Sequence, residues 1–196
     1  LAISCSQGTL LPESAFSKVE SLLSAFHHEG IQVGIGDKTG QQLPRWSSFA
    51  QSIHWGNFKE KKSIITWKDA NHVLDRTTEN YQDKITLIAL GSLKTYADWI
   101  KSDPAVVERI DRIIWYNNTE IQNGFNYKAS PESYEYIRKS GVDLVVVSNT
   151  SKNFIIDQAY LNTIKESESP YARHIVTVHK QPGVEKRIQQ KHLRFW

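Results

Sequence analysis

Short apolar runs alternate along the chain with stretches whose apolar residues recur every three or four positions. LAISC opens the chain, and IQVGIG, ITLIAL, IDRIIWY and VDLVVVS follow. Such uninterrupted runs suit strands buried on both faces of a parallel sheet. From Pro12 to Glu29, Ala15, Phe16, Val19, Leu22, Leu23 and Phe26 keep the helical step. Pro12 suits a first turn and Gly30 the residue past a helix end. The spacing predicts further helices at Trp67–Tyr81, Leu93–Ile100, Ser151–Lys165, Ser169–Lys180 and Gly183–Phe195. A helix is also predicted from Ser130, as its cap, to Ser140. Strand, helix, strand is the parallel crossover unit. The predicted fold is therefore α/β: an open, mostly parallel sheet, helices on both faces, and a ligand crevice at the strand ends.

One segment breaks the rhythm. Residues 37–62 are polar, hold Gly and Pro, and carry Trp46, Phe49, His54, Trp55 and Phe58. A loop of this length is functional or disordered in most compact domains, and its aromatics argue for order. It reads as a flap over the strand ends, with its rings facing either a ligand or a satellite core.

Composition narrows the field. The 196 residues suffice for one domain with a real core, and 39% hydrophobic with 23% charged residues is ordinary for a globular chain. No apolar run reaches the roughly 20 residues of a membrane span. The single cysteine, Cys5, excludes an internal disulfide and reads as a core thiol. Its scarcity leaves the compartment open between cytoplasm and a secreted or periplasmic setting. There is no methionine, and Leu1 lies inside an apolar run, so the chain reads as a fragment of a larger domain. Residues 173–196 carry six Lys/Arg against one Glu, within a net charge of +3. Without interleaved aromatics this reads as a solvated helix face, and no nucleic-acid partner is favoured.

Catalytic signatures are sparse. There is no Walker loop, GxSxG, HExxH or CxxC, and Gly34-Ile35-Gly36 lacks the third glycine of a dinucleotide fingerprint. His54, between Trp46 and Trp55, is the best acid–base candidate by residue type.

Four words in order resemble the inosine-uridine type nucleoside hydrolases. ITLIALGSLKTYA (85–97) is similar to that family's (V/I)TL(V/I)ALGPLTNLA, and SDPAVVERIDRII (102–114) to its DPEIAERIKRIV. GFNYKASPESYEYIRKSGVDLVVVS (124–148) resembles its EFN-then-DPEAA stretch, and LAISCSQGT (1–9) its GITTVxGN strand. The resemblance implies hydrolysis of the N-glycosidic bond of a nucleoside or related N-glycoside by a Ca²⁺-activated water, with aspartates as ligands and base. It makes Asn126 a sugar-binding residue able to donate to a ribose hydroxyl, and places Thr9 beside the substrate; the flap reading, outside the resemblance, adds Trp55 as a substrate-binding candidate. Lys94 stands where the family offers a main-chain carbonyl to the metal. It leaves a homo-oligomer open. The sequence also departs from the pattern. Gly124 replaces the Glu of EFN, Thr9 the Asn of GN, and Lys94 a Thr; the DxDxxxDD motif is not among these residues. A degenerate, non-catalytic nucleoside- or sugar-binding domain is therefore the alternative.

Overall fold

The computed structural model describes residues 1–56, 68–148, 154–190 and 194–195, the last two and 154–155 as backbone only. The apolar runs become strands β1 (Ala2–Cys5), β2 (Gln32–Ile35), β3 (Ile85–Ala89), β4 (Ile110–Tyr116) and β5 (Asp143–Val147). β1 pairs with β2, and β3 with β4 and then β5, all in parallel.

Alternation along the strands decides which helix covers which face. Val33 and Ile35 of β2 and Cys5 of β1 pack on Phe16, Val19 and Leu23 of α1 (Pro12–Ala25). Gly34 points the other way, onto α3 (Ala70–Glu79). A Cβ there would lie 2.8 Å from the Ala70 Cα, so this close helix–strand approach requires glycine. Helices thus stand on both faces of β1–β2. On β3–β4–β5, Leu87, Ala89, Ile113 and Trp115 turn toward α4 (Lys94–Ser102) and α6 (Pro131–Lys139). With Leu93, Ala97, Trp99, Ile100 and Ile137 they form the main core. Trp99 and Trp115 are fully buried, and each finds a partner for its indole N–H: Trp99 donates to Asp75 Oδ1 at 2.7 Å, and Trp115 to the Gly91 carbonyl at 2.9 Å. Ile88, Ile114 and Val145 stand side by side in register on the opposite face. There Ile88 is 62% exposed.

Several boundaries differ from the periodicity. α1 stops at Ala25, not Glu29, because His27 takes a left-handed conformation (φ 57°) and the His28 N–H folds back to the Leu23 carbonyl at 2.8 Å. Ser130 does not cap α6. Its hydroxyl instead bonds Glu132 Oε1 at 2.5 Å and Ser133 Oγ at 2.6 Å. Phe154–Ile155 (β6), predicted helical, pairs antiparallel with Arg194–Phe195 (β7), so the basic helix α9 is confined to Pro182–Gln189. α7 (Gln158–Lys165) and α8 (Pro170–His179) complete the C-terminal part. No helix among the described residues is long and apolar enough to cross a membrane.

Candidate functional site

In a parallel sheet the loops leaving the strands share one edge, and that edge is the natural ligand site. Here it is formed by residues after β1 (Gly8, Thr9), β2 (Gly36, Asp37), β3 (Leu90–Ser92) and β4 (Asn117). A cavity of about 600 Å³ lies between Thr9 and Leu10 on one side and Leu90, Gly91, Ser92 and Thr95 on the other. Ser92 Oγ and Thr95 Oγ1 are buried there without a hydrogen-bond partner. A second cavity of about 630 Å³ is polar and includes Asp37, Lys38, Lys68, Asp69 and Lys94.

Asn126 sits at this edge on a short helix, α5 (Phe125–Ala129), which periodicity did not predict. Its Nδ2 donates to the carbonyls of Leu90 (3.1 Å) and Tyr116 (2.8 Å), which close β3 and β4. Both amide hydrogens are therefore spent on the scaffold, and Oδ1, an acceptor, is what remains for a ligand. Asn117, the first polar residue after the apolar run of β4, holds α5 in place. It is buried, donates from Nδ2 to the Ile121 carbonyl at 2.9 Å, and accepts the Tyr127 N–H at 3.3 Å. A Cβ on Gly124 would come within 1.8 Å of Asn117 Oδ1. Gly124 is thus required by Asn117, which explains why no acidic side chain stands before Phe125.

The flap divides. Gln7, buried at the exit of β1, pins its start through Gln41 O (2.6 Å) and Thr39 N–H (2.9 Å). Trp46 Nε1 donates to Thr9 Oγ1 at 3.3 Å, and its ring lies 6.0 Å from that of Phe125, next to Asn126. Thr9, Trp46 and Asn126 therefore belong to one edge. The second half turns away. Phe49 and Ile53, at α2 (Ser47–Ser52), join a satellite core with Ile156, Leu161, Val184 and Ile188. His54 is clasped by Gln181, whose Oε1 accepts its N–H (2.9 Å) and whose Nε2 donates to its carbonyl (2.7 Å). The Trp55 carbonyl accepts from His174, and its ring meets that of His179 edge-on at 6.5 Å. The structure thus places His54 and Trp55 against the C-terminal helices and does not bring them together with Thr9 and Asn126. Phe58 and the flap's end at 57–62 lie outside the described residues. Trp46, Asn117, Ser92 and Thr95 were not singled out as site residues by sequence. A polar residue just past an apolar run was the available signal for Asn117 and Ser92.

Lys94 begins α4 and bonds Asp98 Oδ2 at 2.5 Å, with less than a quarter of its side chain exposed. That hydrogen bond holds its ammonium above the usual lysine range, and the charges of Asp98, Asp37 and Glu132 add to the effect. Glu132 lies below its ordinary value because Ser130 bonds it.

Calcium takes six to eight oxygens, several of them carboxylates, as a rule. Among the described residues no group of three or more Asp, Glu, His or Cys could hold a metal. Glu13 pairs with Lys38 at 2.8 Å, Asp69 caps α3 through the Asn71 N–H at 2.8 Å, and Asp98 takes Lys94. The Lys94 carbonyl lies in the first helical turn, directed along α4. The described residues do not by themselves fit a calcium ion.

No family model matches the chain. An uncharacterised protein of Schizosaccharomyces pombe is 25% identical over 154 residues, which is 68% of this chain and 46% of that protein. The chain thus spans about half the length of this curated relative. Among solved structures, a purine-preferring ribonucleoside hydrolase from Gardnerella vaginalis superposes with a TM-score of 0.76 at 12% identity, over 96% of this chain and 64% of its own. The inosine-uridine preferring nucleoside hydrolase from Bacillus anthracis gives 0.73 at 16%, over 97% and 72%. The fold is that of the nucleoside hydrolases. At these identities the likeness establishes the scaffold, and the edge carrying Thr9, Gly91 and Asn126 is the C-terminal edge of that scaffold's parallel strands.

Proposed function

We propose that this chain carries the sugar-receiving part of an N-ribohydrolase-type domain that hydrolyses the N-glycosidic bond of a nucleoside or related N-glycoside. The observation that supports it most is Asn126. Its amide is fixed between two strand-end carbonyls, one of them that of Leu90, which lines a cavity of ligand size, and Oδ1 is left as an acceptor. A ribose hydroxyl would donate to Oδ1, and Trp46 and Phe125 would offer apolar surface to the base. Calcium is implied by the sequence resemblance, and its ligands would have to come from outside the described residues.

A second reading is a nucleoside- or sugar-binding domain without hydrolysis. It is favoured by Lys94, whose half-buried ammonium pairs with Asp98 and lines the polar cavity, where it would repel a cation. The full-length protein, assayed with inosine, uridine and a wider nucleoside panel, distinguishes the two. Ribose release that EDTA abolishes and Ca²⁺ restores supports the hydrolase. Saturable binding by calorimetry without release supports the second reading. Neither binding nor release from any nucleoside refutes both.

A further inference from the structure

The turn from β3 into α4 runs Leu90-Gly91-Ser92-Leu93 and opens on the crevice. Leu93 is the N-cap of α4; its side chain has no acceptor to offer, and no acidic residue stands in the first turn. The N–H groups of Lys94, Thr95 and Tyr96 precede the first bond of the helix, which runs from the Ala97 N–H to the Leu93 carbonyl at 2.9 Å. The positive end of the helix dipole is thus left without a compensating side chain from α4 itself.

Further donors surround it. Ser92 and Thr95, on either side of the N-cap, are each 5% exposed, and among the described residues their hydroxyls meet no partner. Both line the cavity of about 600 Å³. On the opposite wall Thr9 accepts the Trp46 indole N–H, which leaves its own hydroxyl proton to donate. Gly36 keeps the space beside Thr95 open, since a Cβ there would collide with Thr95 Oγ1. The described residues that line this cavity include no Asp or Glu, so a cation would meet no carboxylate. An anion would meet a helix N-terminus, converging hydroxyls and, beside them in the chain, the Lys94 ammonium.

We propose that the crevice receives a phosphate, carried on the ribose of its ligand and held by Ser92, Thr95 and the first N–H groups of α4. A phosphate monoester presents three terminal oxygens to these donors. The inference rests on the reading that the crevice takes a ribose-bearing ligand, and narrows that ligand to a nucleotide or sugar phosphate. Asn126 bonds the Leu90 carbonyl in the same turn, so its Oδ1 can serve the sugar while the phosphate lies at the helix end. The misfit with calcium then has a cause: the residues around α4 suit an anion where the resemblance implies a cation.

The test is calorimetry on the full-length protein, with EDTA present so that no metal bridges phosphate to protein. Inosine and uridine are compared with their 5′-monophosphates, and ribose 5-phosphate and inorganic phosphate serve as competitors. The monophosphates should bind about tenfold or more tightly than the nucleosides, and ribose 5-phosphate should displace them. Ser92→Ala and Thr95→Val should each erode this preference without weakening nucleoside binding, while Thr95→Ser should keep it. Both replacements remove an unmet buried hydroxyl, so the variants should fold as stably as the parent. Monophosphates that bind no better than nucleosides overturn the proposal, as does a preference that survives with both hydroxyls removed. Nucleosides bound as well as their monophosphates leave the functional reading standing. Ribose 5-phosphate bound by a protein that neither binds nor cleaves any nucleoside, with or without Ca²⁺, supports the phosphate site and sinks that reading instead.

Discussion

Gly124→Ala is a one-carbon change with a large expected cost. The new methyl would come 1.8 Å from Asn117 Oδ1, well inside van der Waals contact. Gly124 has φ −67° and ψ 140°, which alanine adopts freely, so backbone strain contributes nothing. The damage passes through Asn117, which must swing away and surrender its bonds to the Ile121 carbonyl and the Tyr127 N–H. Displacing a buried amide and stranding its partners costs about 2–4 kcal/mol. The stiffer unfolded chain returns about 0.4–1 kcal/mol. The net is roughly 2–3 kcal/mol, or a melting temperature lower by roughly 4–12 °C for a domain of this size. A double-mutant cycle in urea isolates the mechanism. Asn117→Ala alone should cost about 1–3 kcal/mol. In that background Gly124→Ala should be neutral or slightly stabilising, because the space it needs has been vacated. The two changes would then couple by about 2 kcal/mol or more. Additivity within about 0.5 kcal/mol would falsify the claim that Asn117 dictates the glycine. Gly124→Glu should destabilise more than alanine, so restoring a carboxylate there will not restore a sugar contact.

Three further outcomes follow from the same edge. Asn126→Asp should lose both bonds to the Leu90 and Tyr116 carbonyls and set a charge against them, lowering nucleoside affinity and costing about 2 kcal/mol or more in chemical denaturation; unchanged stability would refute the strand-tying role. Trp115→Phe should leave the Gly91 carbonyl unmet and cost about 1–3 kcal/mol by urea unfolding, and an effect below about 0.5 kcal/mol would contradict the buried bond. Burial, reinforced by Glu20, pushes the Cys5 thiol up to about 11, above its value of 9.0 in an open chain. The folded state then holds its proton more tightly than the unfolded state, so this contribution to stability is intact below pH 9 and falls as pH rises toward 11. Equally fast reaction with a thiol reagent in native and denatured protein at pH 8 would contradict this.

The elements and their parallel order were legible in the sequence because they rest on local periodicity. ITLIAL, IDRIIWY and VDLVVVS are apolar runs of strand length, although Ile88, Val145 and Val147 lie on an exposed face where burial on both faces was expected, and Pro12 and Pro131 sit where a helix can begin. The word around Asn126 picked out a residue whose amide the structure ties to the carbonyls of Leu90 and Tyr116. What local pattern misjudged was set by contacts between distant residues. Ser151–Lys165 has helical spacing, yet Phe154 and Ile155 find a strand partner in Arg194 and Phe195. His54 and Trp55 lie in the same polar loop as Trp46. Only the packing of Phe49 and Ile53 on the C-terminal helices decides that the loop divides, Trp46 going to Thr9 and His54 to Gln181.

The sequence by itself thus determined the class of fold, the positions of its main strands along the chain and the strand ends as the place for a ligand crevice, since hydrophobic period and turn residues act over a few positions. Tertiary structure alone decided that Asn126 keeps an acceptor rather than a donor, that Gly124 yields its space to Asn117, and that the flap divides between Thr9 and Gln181. Each of these depends on how residues far apart in the chain share hydrogen bonds and volume, and neither quantity is written in the local pattern.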